Sequence, residues 1–238
     1  MSGLLRQPLA RLALVVVFAV SLLGGAAAAP GGSVSALSNW TGGVDLYRSG
    51  VFTTQKTWRW CTAADVQIMR NIVNGRSDHT RSSQKRYFDY MRDHNRYPVP
   101  VSDGVDAAGW TAGLQRFVDA RYRLKANKGF KSALRSAVRN LRKTNLPVGV
   151  TVARGGHAWV LTGFTATADP ALTTDFKVTS VRVVGPLWGL QSRTYGYDMR
   201  PDTKLTRRQF EGFFTPWHYG PIRMVWEGRW VSVQPVAS

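Results

Sequence analysis

The sequence predicts an α+β domain of two lobes, helical in its first half with a cysteine on a central helix, and an antiparallel sheet in its second. Three observations predict it. Apolar residues recur at helical spacing between about residues 61 and 143. Beyond Leu146-Pro147 the pattern changes to alternation and short apolar runs, which is the signature of strands. The chain, at 238 residues, is long enough for one compact core and carries nine tryptophans and ten phenylalanines to fill it.

Residues 30 to 50 read as a flexible lead-in, rich in glycine and serine, and residues 51 to 238 as the folded domain. From Cys61 to Val73, Ala64, Ile68 and Ile72 share a face with Met69 and Val73 beside them, and Asn74-Gly75 supplies the stop. A second helical pattern runs from about Ser82 to His94, ending before Tyr97-Pro98-Val99-Pro100. A third spans roughly Val105 to Tyr122. The fourth, near Phe130 to Lys143, sets Phe130, Leu134, Val138 and Leu141 on one stripe and Lys131, Arg135, Arg139 and Arg142 on another, so its outer face is cationic. Strands are expected over Val148 to Ala153, His157 to Thr165, Phe176 to Val184, and Ile222 to Val233 with a break at Glu227-Gly228. A short helix from about Thr206 to Phe214 interrupts them. Trp188, Trp217, Trp226 and Trp230 are expected mainly as core filling rather than as a glycan-stacking groove.

At the amino terminus, Arg6 and Arg11 precede an apolar run from Leu12 through Leu23 and then small residues up to Ala29. That order is a secretory signal peptide, predicting cleavage near Ala29 and a secreted protein. The alternative is an anchor that keeps this segment in a membrane. No later apolar stretch approaches the length of a span, so no transmembrane segment is expected in the mature chain. The formal charge of +18 becomes +16 once Arg6 and Arg11 are removed. Such a surface attracts polyanions, including anionic cell-envelope polymers. No basic-aromatic motif of a nucleic-acid module is present, so no specific nucleic-acid partner is expected. One cysteine without a close histidine pair predicts no metal site, and nothing in the sequence calls for a cofactor.

That lone cysteine cannot cross-link its own domain. Cys61 stands where a helix begins, and a helix amino terminus favours a thiolate. His157 follows Gly155-Gly156 at the start of a strand, in the second half of the chain, where it can act as the base for a cysteine nucleophile. Gln55, six residues before Cys61, can pair its side-chain amide with the Cys61 N–H around an oxyanion. The candidate catalytic residues are therefore Cys61, His157 and Gln55.

The upstream glutamine, Trp60-Cys61 opening a helix, and the run from Gly155 to Phe164 resemble the papain-like cysteine peptidase superfamily, most closely bacterial peptidases of the bacteriocin-leader-processing type. The resemblance covers roughly residues 50 to 190. It implies a papain-like fold, peptide or protein substrates, a cysteine nucleophile, a histidine base, a glutamine in the oxyanion hole, and an aspartate or asparagine that orients the histidine. Cys61, His157 and Gln55 match the first three of these residues. At the fourth this chain departs, because antiparallel pairing of the two strands puts Gly185-Pro186 where relatives tend to place Asp-Pro. Asp169 and Asp175 fall at the far end of that hairpin, roughly 20 Å away. A backbone carbonyl, Gln191, Ser192 or Asp198 remains to orient the imidazole. Two functions follow: a secreted hydrolase of amide bonds, or a non-catalytic descendant whose basic surface binds an anionic envelope polymer.

Overall fold

A computed structural model describes residues 39–190, 198–220 and 222–237, so the expected signal peptide, Gln191 and Ser192 lie outside the described residues. Within them the chain is mixed α and β. In order, the elements are β1 (Gly43–Asp45), α1 (Cys61–Asn74), α2 (Arg81–Asp93), α3 (Ala107–Phe117), β2 (Tyr122–Asn127), α4 (Phe130–Thr144), β3 (Val148–Val152), β4 (His157–Ala166), β5 (Val178–Val184), β6 (Thr203–Thr206), α5 (Arg207–Phe213) and β7 (Trp230–Pro235). No helix among them is long and apolar enough to cross a membrane.

All seven strands join one antiparallel sheet in the order β2-β7-β3-β4-β5-β6, with β1 also on β4. The division into a helical half and a strand half is therefore incomplete, since β1 and β2 come from the first half. The segment expected as a loose lead-in contributes β1, whose Val44 pairs with Phe164, and Trp40 packs its ring on Phe164 at 6.0 Å. The third helix stops at Phe117, five residues short of Tyr122. There the chain turns at Asp119, whose carboxylate accepts from the Arg121 backbone and guanidinium, and enters β2.

Helices cover both faces of the sheet. On one side Val66 and Ile68 of α1, Tyr87 and Met91 of α2, and Trp110 and Leu114 of α3 form a core with Ala158, Val160 and Val233. On the other, Leu134, Val138 and Leu141 of α4 and Phe210 of α5 meet Val148, Val150, Trp159 and Leu161. The side-chain alternation of β3 and β4 makes this possible, one residue in two serving each core. Arg142 does not join the cationic outer face expected for α4. It is only 5% exposed and forms a forked ion pair with the equally buried Asp169, at 2.8 Å from Nη2 and 3.0 Å from Nε.

Local chemistry sets the helix ends. Thr80, Asp106 and Thr206 cap α2, α3 and α5 by accepting from backbone amides, Thr206 as part of a reciprocal capping box with Gln209. Gly75 takes the left-handed conformation that closes α1. At its other end α1 is different. Trp60 precedes Cys61 without any side-chain cap, and no acidic residue occupies the first turn, so the first amides of a 14-residue helix have no side-chain acceptor.

Candidate active site

Cys61 is the first residue of α1, partly exposed, and the free amides and positive end of the helix dipole lie around its sulfur. α1 packs against β4 through the layer that holds Ala158 and Val160, and this brings the helix start to the start of β4. His157 is the first residue of that strand, paired with Val152 across the β3–β4 turn and only 6% exposed.

The turn before His157 is tightly held. Ala153 and Arg154 both take the left-handed region that non-glycine residues rarely adopt, at φ of 51° and 58°. The Arg154 backbone donates to Thr215 Oγ1 at 3.0 Å and accepts from the His218 amide at 2.9 Å. Gly155, at φ 91°, lies so close to Trp217 that a Cβ there would come within 2.6 Å of the indole ring. The two glycines ahead of His157 thus serve a purpose beyond turning the chain: they let Trp217 and Tyr219 close over the turn.

Asp198 orients the imidazole. Its Oδ2 accepts from His157 Nε2 at 2.9 Å and from the Leu187 amide at 2.6 Å, while its Oδ1 accepts from Trp159 Nε1 at 2.6 Å. With three donors and 4% exposure this carboxylate has a single available position. The β4–β5 ladder closes at Val160 and Val184, and Gly185-Pro186 leads away from it. A Cβ on Gly185 would stand 2.3 Å from Asp198 Cγ. The position that looks vacant in the sequence is therefore the space through which a carboxylate from a later segment reaches the histidine. Among the four orienters left open by the sequence, Asp198 is the one in place.

His157 and Cys61 line the same cleft. With Nε2 given to Asp198, Nδ1 is the nitrogen through which His157 would serve the sulfur. Burial alone would drive a proton off His157, but the hydrogen bonds to Asp198 and Cys61 and their charge outweigh it, lifting the imidazole from 6.5 to about 10. The ring is consequently a cation at neutral pH.

Gln55 is buried in the loop ahead of α1, its backbone amide bonded to Pro186 O at 2.9 Å and its Nε2 donating to Thr57 O at 2.8 Å. A second amide proton remains on Nε2. Gln55 is not among the residues lining the cleft beside Cys61, a space of about 140 Å³ walled by Trp58, Trp110, His157, Trp217 and Tyr219. Of the four tryptophans expected as filling, Trp226 is core, Trp230 packs half-buried on the core, and Trp188 is 42% exposed. Trp217 is buried yet forms part of the cleft wall.

One neighbour of the site went unread in the sequence. Asp65 lies one turn along α1 from Cys61, fully buried, with neither carboxylate oxygen hydrogen-bonded. Burial pushes its pKa well above 3.8, the negative side of Cys61 adds to the shift, and the His157 cation partly offsets it. Asp65 accordingly holds its proton more tightly than an exposed aspartate does. Its signal was available, as the only acidic residue of α1 and four residues from Cys61. Comparison with known protein families, with curated proteins and with solved structures finds no match to this chain.

Proposed function

We propose that this chain is an exported papain-like cysteine hydrolase that cleaves amide bonds of peptides or proteins. The observation that carries the reading is the His157 imidazole, held by Asp198 on one nitrogen and sharing a cleft with Cys61 at an uncapped helix start. Few structural roles call for a buried imidazolium beside the only thiol of the chain.

In this reaction the Cys61 thiolate attacks the substrate carbonyl carbon, and the oxygen becomes an anion. The Cys61 N–H meets that charge in a helix-terminal field of the right sign, and the spare amide proton of Gln55 is the second donor if the side chain turns from Thr57 toward the cleft. As the C–N bond breaks, His157 Nδ1 gives its proton to the leaving amine. A thioester remains on Cys61. Neutral His157 then takes a proton from water, whose oxygen attacks the thioester, and release of the carboxylic acid restores the thiolate and imidazolium. Asp198 acts as a positioning residue, holding the ring plane and stabilising the cation through both states.

Incubating the purified protein with a mixed peptide library and reading new termini by mass spectrometry tests the assignment. Cleavage by the wild type that disappears in Cys61→Ala and in His157→Ala is expected. New termini that persist in Cys61→Ala would refute it.

A further inference from the structure

α4 lies across the sheet from α1, which carries the cysteine, and is strongly basic. It holds five basic residues and no acidic one. Arg142 turns inward to Asp169. The remaining four, Lys131, Arg135, Arg139 and Lys143, recur every four residues, which is one cation per ~6 Å over ~18 Å of helix.

Two adjoining clefts of about 450 and 620 Å³ run beside this helix and share Lys131 and Arg135. Arg139 completes one, while Lys177 and Arg207 complete the other, and no carboxylate lines either. The nearest acids do little to neutralise them. Glu211 pairs only with Arg207, at 3.9 Å, and Asp175 forms no ion pair. The arginines are fixed in place by neutral groups: Arg135 donates to the Phe176 and Thr174 carbonyls, Arg139 to those of Pro170 and Thr173, and both lie over the Phe176 ring. Their geometry is set while their charge stays uncompensated.

From this arrangement we infer that the α4 face is a docking groove for a linear polyol-phosphate chain, bound through its phosphates alone. The groove is long and evenly charged, as a repeating anion requires. Binding of single-stranded nucleic acid draws on exposed aromatic platforms for its bases. The one aromatic ring here, Phe176, is 1% exposed beneath two guanidinium groups. Membrane docking by an amphipathic helix needs large apolar side chains facing outward. Those of α4 point into the core, with Phe130, Leu134, Val138 and Leu141 each at most 5% exposed. This inference is independent of the hydrolase reading and stands or falls without Cys61.

The test measures binding of a synthetic poly(glycerol phosphate) oligomer to the purified protein by calorimetry as salt is varied. Five phosphate contacts predict a slope of about −3.5 in log K against log salt. Lys131 and Lys177 are exposed, and their side chains make no hydrogen bond or ion pair, so Lys131→Gln with Lys177→Gln leaves the fold intact. That pair is expected to weaken binding at least tenfold and to flatten the slope by about 1.4. The control pair Arg76→Gln and Lys85→Gln, exposed on the α1–α2 side, is expected to keep most of the affinity. Equal losses in the two pairs would reduce the effect to net charge and overturn the inference. So would tighter binding of single-stranded DNA of equal charge, or of anionic vesicles, than of the polyol phosphate.

Discussion

Asp198 and Gly185 are one device at the scale of single residues. The carboxylate reaches His157 only because residue 185 has no side chain. Gly185→Ala is expected to destabilise the fold by about 1–3 kcal/mol, the usual result of overpacking, and to displace Asp198. Urea unfolding reads the first effect, and slower alkylation of Cys61 at mildly acid pH reads the second. Unchanged values for both would mean that Asp198 has room to spare. Asp65 gives a prediction of opposite character. Its folded pKa lies above 3.8, so the folded state retains a proton that the unfolded chain gives up, and stability falls as pH rises from about 4. Asp65→Asn keeps the shape without the titration, and is expected to flatten that fall in denaturant midpoints taken between about pH 4 and 8. Parallel pH profiles for the two proteins would show that Asp65 does not hold its proton more tightly in the folded state. That Cys61 and His157 share a cleft was legible from residue type and neighbours, whereas Gln55 lies buried outside the residues that line it. Asp198 was only one of four choices, since it lies 41 residues beyond His157 after a stretch of sequence for which no periodicity sets a register.

Elements were legible wherever their period was clean. The bounds of α1, α2 and α4 fall within one residue or so of those expected, as each has an apolar stripe and a stop in Asn74-Gly75, His94 or Asn145. β2 is not expected from the sequence, where the third helix runs to Tyr122, because Tyr122-Arg123-Leu124-Lys125 is too short a run to show a period of its own. Its pairing with β7 decides the matter, and that is a contact between residues more than 100 apart in sequence. Arg142 escaped for a related reason: helical spacing places it at the edge of the charged stripe, and only Asp169 on the β4–β5 connection draws it inward. The Arg142 guanidinium holds Asp169 below 3.8, with its hydrogen bond as the largest cause. That contribution is fully present above the ordinary carboxylate range and is lost as pH falls through the depressed value. Asp169→Asn leaves a buried cation without its partner and is expected to cost about 3–5 kcal/mol, measured by urea unfolding at neutral pH. A loss below ~1 kcal/mol would indicate that Arg142 finds water when the pair is broken.

Over the whole molecule, the sheet separates two kinds of chemistry. The starts of α1 and β4 together present a thiol, an imidazolium and a small aromatic cleft, while α4 presents fixed positive charge. The thiol side also has the clearer pH signature. His157 is raised from 6.5 to about 10, so the stability it contributes is complete below 6.5 and disappears as pH climbs toward 10. Within that window the imidazolium persists in the cleft it shares with Cys61. Alkylation of the purified protein with iodoacetamide from about pH 4 to 10 measures this directly, because every modified thiol is Cys61. The wild type is expected to be alkylated readily at mildly acid pH, and His157→Ala to lose that reaction. A wild-type profile that follows an ordinary thiol, or one that His157→Ala leaves unchanged, would contradict the cysteine–histidine pair.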